Sequence, residues 1–172
     1  MKIIKVREQS DVHRMSLLAH EIWWQHFPPI IGEDQVAYMV EKFQSEQAML
    51  EQLEQGYEYF LADLDGEAVG YAGVVPDLNT HKLMLSKLYV IATDRGKGVG
   101  QALLDLIESK CVEEGFNRIW LTVNRANKGP INWYIKRGFT IVKEIDMDIG
   151  DGFIMDDYVM EKPIGEDEEM ME

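Results

Sequence analysis

The chain reads as a mixed α/β domain, and three observations carry that reading. Strand-like and helix-like runs succeed one another along most of its length. Asp65-Gly66, a two-residue turn sequence favoured in tight hairpins, sits between strand-like runs at 57–64 and 67–75. A third apolar run, Lys82–Val90, leads through a glycine-rich stretch straight into an apolar-striped helix.

The elements follow in order. Residues 2–7 read as a first strand. Ser10-Asp11 offers a cap for a helix reaching Trp24, with Val12, Met15, Leu18 and Ile22 at helical spacing. Pro28-Pro29 breaks the chain. A second helical stretch runs from Glu33 to Phe43, and Ser45 opens a third that ends at Gly56. Beyond the hairpin and the glycine stretch, the next helix carries Val99, Leu103, Ile107 and Cys111 at i, i+4 spacing. Leu104 and Leu106 widen that stripe, and Gly115 ends the helix. Residues 117–123 form another strand, a short helix surrounds Tyr134, and strands near 140–147 and 153–162 complete the order.

With 172 residues, 46% of them hydrophobic, the chain can bury one good core and has no room for two full domains. The expected division is one domain over 1–162 and an acidic, disordered tail over 163–172. No apolar run approaches the ~18 residues of a membrane span. The start Met1-Lys2-Ile3-Ile4-Lys5 lacks the apolar segment and cleavage site of a signal peptide, so a cytoplasmic location is expected. The net charge is −14, of which Glu166, Asp167, Glu168, Glu169 and Glu172 supply five, leaving −9 on the rest. That balance argues against a nucleic-acid partner. The single Cys111 cannot form an internal disulfide and reads as a buried small hydrophobe.

Arg95-Gly96-Lys97-Gly98-Val99-Gly100 is the most informative stretch. Glycines allow positive φ and close approach, so such a loop can turn successive N–H groups toward one point. The helix that follows adds its own unpaired N–H groups and the positive end of its dipole. Together these suit a pyrophosphate. A dinucleotide fingerprint would need glycine at position 101, where Gln101 stands, and a P-loop string is absent. The pattern present is R-x-x-G-x-G after a strand ending Leu88-Tyr89-Val90.

That pattern resembles the acyl-coenzyme A loop of the GNAT superfamily of N-acetyltransferases. A second string agrees: Asn127, a small residue three later (Pro130, where alanine is commoner), Tyr134, then Gly138-Phe139. Pro130 is tolerable if it lies in a first helical turn. The resemblance covers roughly residues 2–162. It implies a mixed, mostly antiparallel sheet of six to seven strands with helices on both faces and a splayed strand pair holding acyl-CoA.

The resemblance also assigns roles. The loop amides from Arg95 through Gly96, Lys97, Gly98, Val99 and Gly100 to Gln101 take the pyrophosphate, with Arg95 and Lys97 as point charges. The strand edge at Leu88, Tyr89 and Val90 pairs with the pantetheine arm. A backbone N–H near Tyr89–Ile91 holds the oxyanion. Tyr134 protonates the departing thiolate. Asn127 either bonds the cofactor arm or caps its helix. Acetyl-CoA is thus the expected co-substrate of transfer to a primary amine through a ternary complex. An acyl-CoA-binding module without turnover is the alternative class, and pairing through strand edges makes a homodimer plausible.

One departure concerns the base. Many relatives carry a glutamate in the strand before the loop, whereas Lys82–Val90 has no carboxylate. A water chain, His26, His81 or Glu41 would have to remove the amine proton. The aromatic stretch Trp23-Trp24-Gln25-His26-Phe27, with Glu41, is the expected acceptor region. His20-Glu21 is not a zinc motif, since Trp24 stands where the second histidine belongs, and no metal is expected. Residues 31–53, Phe60-Leu61-Ala62, the Gly70-Tyr71 strand and the ending Asp156–Lys162 look similar to the spermidine/spermine N-acetyltransferase-like subgroup. That similarity implies a polyamine held by acidic groups such as Glu33, Asp34, Glu41, Asp156 or Asp157. Another small amine or a peptide N-terminus is the competing acceptor.

Overall fold

The computed structural model describes residues 1–165; the acidic stretch 166–172, expected as tail, lies outside the described residues. Seven strands form one mixed sheet in the order β1-β2-β3-β4-β5-β7-β6. They are β1 (Lys2–Lys5), β2 (Glu58–Leu64), β3 (Glu67–Asp77), β4 (Lys82–Val90), β5 (Arg118–Asn124), β6 (Thr140–Gly150) and β7 (Phe153–Pro163). The helices are α1 (Gln9–His26), α2 (Pro28–Ile31), α3 (Glu33–Met39), α4 (Glu46–Glu54), α5 (Val99–Glu114) and α6 (Lys128–Lys136). The described residues divide into two compact units, one of Met1–Val75 with Ser86–Ile107, the other of Pro76–Leu85 with the described chain from Glu108 on.

In the first unit, β1 pairs antiparallel with β2 and β2 with β3. The β2–β3 turn at Asp65 and Gly66 has φ of 53° and 89°, the positive pair that a tight two-residue hairpin uses. Asp63 fixes that corner: it accepts the Gly66 N–H at 2.8 Å and the Arg14 guanidinium at 2.7 Å. Both bonds hold its carboxyl below the usual carboxylate range. Val12, Met15, Leu18, Ala19 and Ile22 of α1 are buried against Met49, Tyr59, Leu61 and Tyr71. The helical spacing of α1 thus marks its core face correctly.

In the second unit, β4 begins parallel to β5 over the three pairs Lys82–Arg118, Leu83–Ile119 and Met84–Trp120. β5 pairs antiparallel with β7, and β7 with β6. Pro163, expected in the tail, closes β7, and Ile164 beyond it is buried with its N–H on the Asn117 carbonyl at 2.9 Å.

Four expectations about local structure change. Ser10-Asp11 does not cap α1; the helix starts at Gln9 after Glu8, which makes no side-chain cap bond, and Asp11 falls in the first turn. Pro28-Pro29 does not merely interrupt the chain but occupies the first turn of α2, where a missing N–H costs nothing. The helix expected over 33–43 is α3 followed by a π-helical turn, Val40–Gln44. Leu106 is exposed, while Val99, Leu103, Leu104, Ile107 and Cys111 form the buried stripe of α5. Ser45 does cap α4, its hydroxyl accepting the Ala48 N–H at 3.2 Å.

Candidate active site

The glycine stretch occupies the turn between β4 and α5, within the first unit. A short 3-10 turn (Ala92–Asp94) precedes it, and Gly96 and Gly98 both lie at positive φ, 83° and 84°. A Cβ placed on either would meet nothing within 4 Å, so their need is conformational and the space beside them is open. The bonding of α5 begins with the Ala102 N–H on the Gly98 carbonyl at 3.0 Å. Amides ahead of that bond have no intrahelical acceptor, and they sit at the positive end of the helix dipole. Arg95 donates from Nε to the Val90 carbonyl at 3.2 Å, and Lys97 pairs with Asp94 at 3.0 Å. Both side chains are exposed, and a surface pair of this kind contributes little, so either cation can turn to an anion. The conformation and charge of this turn fit a pyrophosphate.

The strand end beside the loop is anchored on β3. The Ile91 N–H donates to the Val69 carbonyl at 2.9 Å, which removes Ile91 from the expected oxyanion donors near Tyr89–Ile91. A Cβ on Gly70 would stand 3.0 Å from Val99 Cγ1 and 3.1 Å from the Tyr89 carbonyl. This glycine therefore lets β3 approach both the β4 end and the first residue of α5. Sequence reasoning had not given Gly70 that role.

Tyr134 lies on α6 in the second unit, buried with 8% of its surface exposed. Its position is fixed by how α6 ends. The Gly138 N–H bonds the Ile135 carbonyl at 3.1 Å, and the Phe139 N–H bonds the Tyr134 carbonyl at 3.1 Å. With Gly138 at φ 97°, this is a complete Schellman motif. Its usual hydrophobic contact is made by the two rings, Tyr134 on Phe139, 5.2 Å between centroids at 66°. Trp133 adds an edge contact at 5.2 Å. Burial raises the phenol's proton affinity well above its ordinary value, so the hydroxyl is a firmly protonated donor. Asn127 is the residue before α6; its carbonyl accepts from Ile131 at 3.2 Å, but its side chain makes no cap bond. Of its two expected roles, the cap is therefore removed. Pro130 does fall in the first turn.

The aromatic stretch at the end of α1 divides. Trp23 and Phe27 are buried and stack at 4.1 Å, and Tyr89 meets them edge-on at 5.6 and 6.2 Å. Tyr71 of β3 lies 5.4 Å from Tyr89. His26 stands edge-on to Phe27 at 4.8 Å, whereas Trp24 leans instead toward His20 at 6.2 Å. Glu41 is exposed on the π-helical turn, where its backbone carbonyl accepts the Ser45 hydroxyl at 2.8 Å. The indole N–H of Trp23 is buried and interacts with the Tyr71 hydroxyl.

Lys87, unremarked in the sequence beyond its strand, is buried at 4% exposure. Alternation was the available signal: Leu83, Leu85, Lys87 and Tyr89 share one face of β4. The Lys87 ammonium donates to the Phe43 carbonyl and, at 2.9 Å, to Gln52 Oε1, and lies 5.1 Å from the Tyr59 ring centre. Burial pulls its pKa down to about 7. Asp157 of β7 is the other buried titratable group of note; burial pushes its carboxyl up to about 6, against a hydrogen bond from Thr122. Among the described residues, no group of three or more His, Cys, Asp or Glu side chains could hold a metal ion, and no helix is long and apolar enough to cross a membrane.

Comparison with known proteins agrees with this geometry. An uncharacterised N-acetyltransferase of Mycobacterium tuberculosis (strain ATCC 25618 / H37Rv) is 29% identical over 133 residues, 77% of this chain and 85% of its own length. An N-alpha-acetyltransferase of Sulfurisphaera tokodaii is 32% identical over 120 residues, 62% of this chain and 69% of its own. The structure of a PaiA N-acetyltransferase from Thermoplasma acidophilum in complex with coenzyme A superposes with a TM-score of 0.76, at 22% identity, covering 95% of this chain and 99% of that one. A model of the Acetyltransferase (GNAT) family matches residues 18–139, which contain the glycine turn, Asn127 and Tyr134. On that match, the chain belongs to the acetyltransferase (GNAT) family and is an acyltransferase enzyme.

Proposed function

We propose that this enzyme transfers the acetyl group of acetyl-CoA to the primary amine of a small molecule. The observation that carries the reading is the β4–α5 turn, in which two positive-φ glycines, a helix start and two exposed cations form an anion site in an otherwise acidic chain. Acetyl-CoA supplies an acetyl thioester and a good leaving group. In direct transfer, the amine nitrogen bonds the acetyl carbon as the carbon–sulfur bond breaks. The amine gives up a proton, and the departing thiolate takes one.

The residues divide this work. Gly96–Gly100 and Gln101 hold the pyrophosphate through backbone amides, with Arg95 and Lys97 nearby in sequence. Leu88–Val90 offer the pantetheine arm an edge, and Asn127 bonds that arm now that capping is not its role. Tyr134 protonates the thiolate, a role supported by its buried, fixed and firmly protonated hydroxyl. The acceptor rests against Tyr89 and His26, the partly exposed members of an aromatic group backed by the buried Trp23, Phe27 and Tyr71. A polyamine finds less support: Asp156 is held by Arg125, and Asp157 is buried. A peptide N-terminus is the second reading, favoured by the 32% identity to an N-alpha-acetyltransferase.

The test is acceptor-dependent release of CoA thiol from acetyl-CoA across small primary amines, spermidine, spermine and short peptides. Release with a small amine is the expected result. Tight CoA binding without release for any acceptor would mean a binding module on this fold.

A further inference from the structure

Among the described residues, Lys87 is a buried amine with no charged partner. Its polar surroundings are the Phe43 carbonyl, Gln52 Oε1 and the face of Tyr59, all neutral. Charged groups on the neighbouring elements of the first unit turn elsewhere. Glu41 and Lys42 of the π-helical turn are exposed, as are Glu51 and Glu54 of α4. Glu58 of β2 pairs with Lys5 at 3.1 Å, Glu67 and Asp77 at the ends of β3 are exposed, and the titratable Tyr59 and Tyr71 are held neutral by burial. A core leucine or methionine at position 87 would avoid the desolvation of an amine. The nitrogen's bonds indicate what it does instead.

Those bonds converge on the π-helical turn. The Phe43 carbonyl accepts from Lys87 and from Gln52 Nε2, the latter at 3.2 Å. Gln52 Oε1 accepts from Lys87 and from the Tyr59 hydroxyl. One residue further along the turn, Gln44 Oε1 accepts the Tyr71 hydroxyl at 2.8 Å. Two adjacent residues of the turn are thus tied to two strands, Phe43 to β4 and Gln44 to β3. The i→i+5 winding is a rare geometry that recurs at functional sites. Tyr71 and Tyr89, the two tyrosines of the aromatic group, are linked to this network, Tyr71 through Gln44 and Tyr89 as the residue two beyond Lys87 on the same strand face.

We propose that Lys87 is a positioning residue for the acceptor amine: its nitrogen ties the Val40–Gln44 turn and Gln52 to β4, and so sets Tyr89, the partly exposed ring against which the acceptor rests, and the buried Tyr71 behind it. The inference depends on the transferase reading above and assigns Lys87 to its acceptor half. The acetyl-CoA half uses main chain, the Leu88–Val90 edge and the glycine turn, whose end is anchored separately through Ile91–Val69 and Gly70, so the effect of the Lys87 nitrogen, exerted through side chains, falls on the amine. Because the amine loses its charge near pH 7, its grip on the Phe43 carbonyl weakens as pH rises through neutrality.

The experiment measures steady-state kinetics between about pH 6 and 9 for the wild type, Lys87→Met and Gln52→Glu, using the amine that the acceptor panel identifies, with melting curves as a check on folding. In Lys87→Met the acceptor KM rises roughly tenfold or more while the KM for acetyl-CoA stays within about twofold. The wild-type profile of acceptor kcat/KM carries an inflection near pH 7 that Lys87→Met lacks. In Gln52→Glu a carboxylate beside the ammonium moves that inflection to higher pH, a displacement that packing alone does not produce. A folded Lys87→Met with the wild-type acceptor KM and profile overturns the role while the transferase reading stands. Should Lys87→Met fail to fold, an unmoved profile in Gln52→Glu overturns it equally. A wild type that releases no thiol with any amine overturns the transferase reading, and this inference with it.

Discussion

The glycine turn of the first unit and the Tyr134 helix of the second are built on opposite plans. The turn presents main chain: its glycines carry no side chain, its two cations are tethered to neighbours, and open space surrounds Gly96 and Gly98. The α6 helix presents one side chain, locked at its root by the Schellman bonds and along its ring by Phe139. A backbone site is set by φ values and tolerates most side-chain changes. A side-chain site depends on one oxygen atom and on whatever holds it still. Both contain a glycine at positive φ, but Gly98 shapes an opening and Gly138 closes a helix.

The contrast is most easily broken at Tyr134. Tyr134→Phe keeps the ring contacts and removes only the hydroxyl. We expect kcat to fall roughly 10²- to 10⁴-fold with the melting temperature unchanged, the lower end being favoured because thiolates already leave well. Equal activity in the two proteins would remove the proton donor from the mechanism.

A smaller effect is expected at Gly98. Alanine there meets no atom within 4 Å but must adopt a φ of 84°. The turn should relax away from that conformation, raising the KM for acetyl-CoA roughly tenfold while the acceptor KM holds. Isothermal titration with CoA measures the same loss without turnover. An unchanged CoA affinity would mean that the anion site is elsewhere.

Gly138→Ala sharpens the comparison with the smallest change. Its Cβ would come 3.3 Å from Lys162 Cε, the far part of a flexible side chain, so strain at φ 97° dominates. We expect a loss of about 1–2 kcal/mol in urea unfolding, read as a lower midpoint at constant slope. The KM for acetyl-CoA should not move. If Gly138→Ala raised that KM and Gly98→Ala did not, the assignment of backbone and side-chain roles would be reversed.

The sequence made the punctuation of the fold legible. Lys82–Val90 is β4 to the residue, Ser45 caps α4, Asp65-Gly66 turns the hairpin, and Gly115 and Gly138 follow the ends of α5 and α6. Each is a local signal, a backbone conformation or a missing donor that one residue type supplies. What was not legible arises from contacts distant in the chain. Nothing in Val-Glu-Lys-Phe-Gln marks an i→i+5 turn; bonds from Lys87, Gln52 and Tyr71 hold it. Ser10-Asp11 carries the chemistry of a cap, yet α1 begins before it. Lys87 could have been noticed from the alternation of β4, but its neutral partners lie 35 and 44 residues away in sequence. Of the candidate site, the glycine turn and Tyr134 were readable because motif and local geometry coincide there. The aromatic group proposed for the acceptor was only half readable, since Tyr71 joins Trp23, Phe27 and Tyr89 through the sheet.

Cys111 carries a consequence for how the enzyme handles its product. It is the chain's single cysteine, fully buried in α5, and burial pushes its thiol up to about 12. Disulfide exchange proceeds through thiolate and needs access to the sulfur, and this thiol has neither. Each proposed turnover liberates a free CoA thiol, yet CoA disulfide accumulating in an oxidising medium would find no site on the native protein for mixed-disulfide formation. The native enzyme should therefore stay silent toward aromatic disulfide reagents, so that colour developed during turnover reports liberated CoA alone.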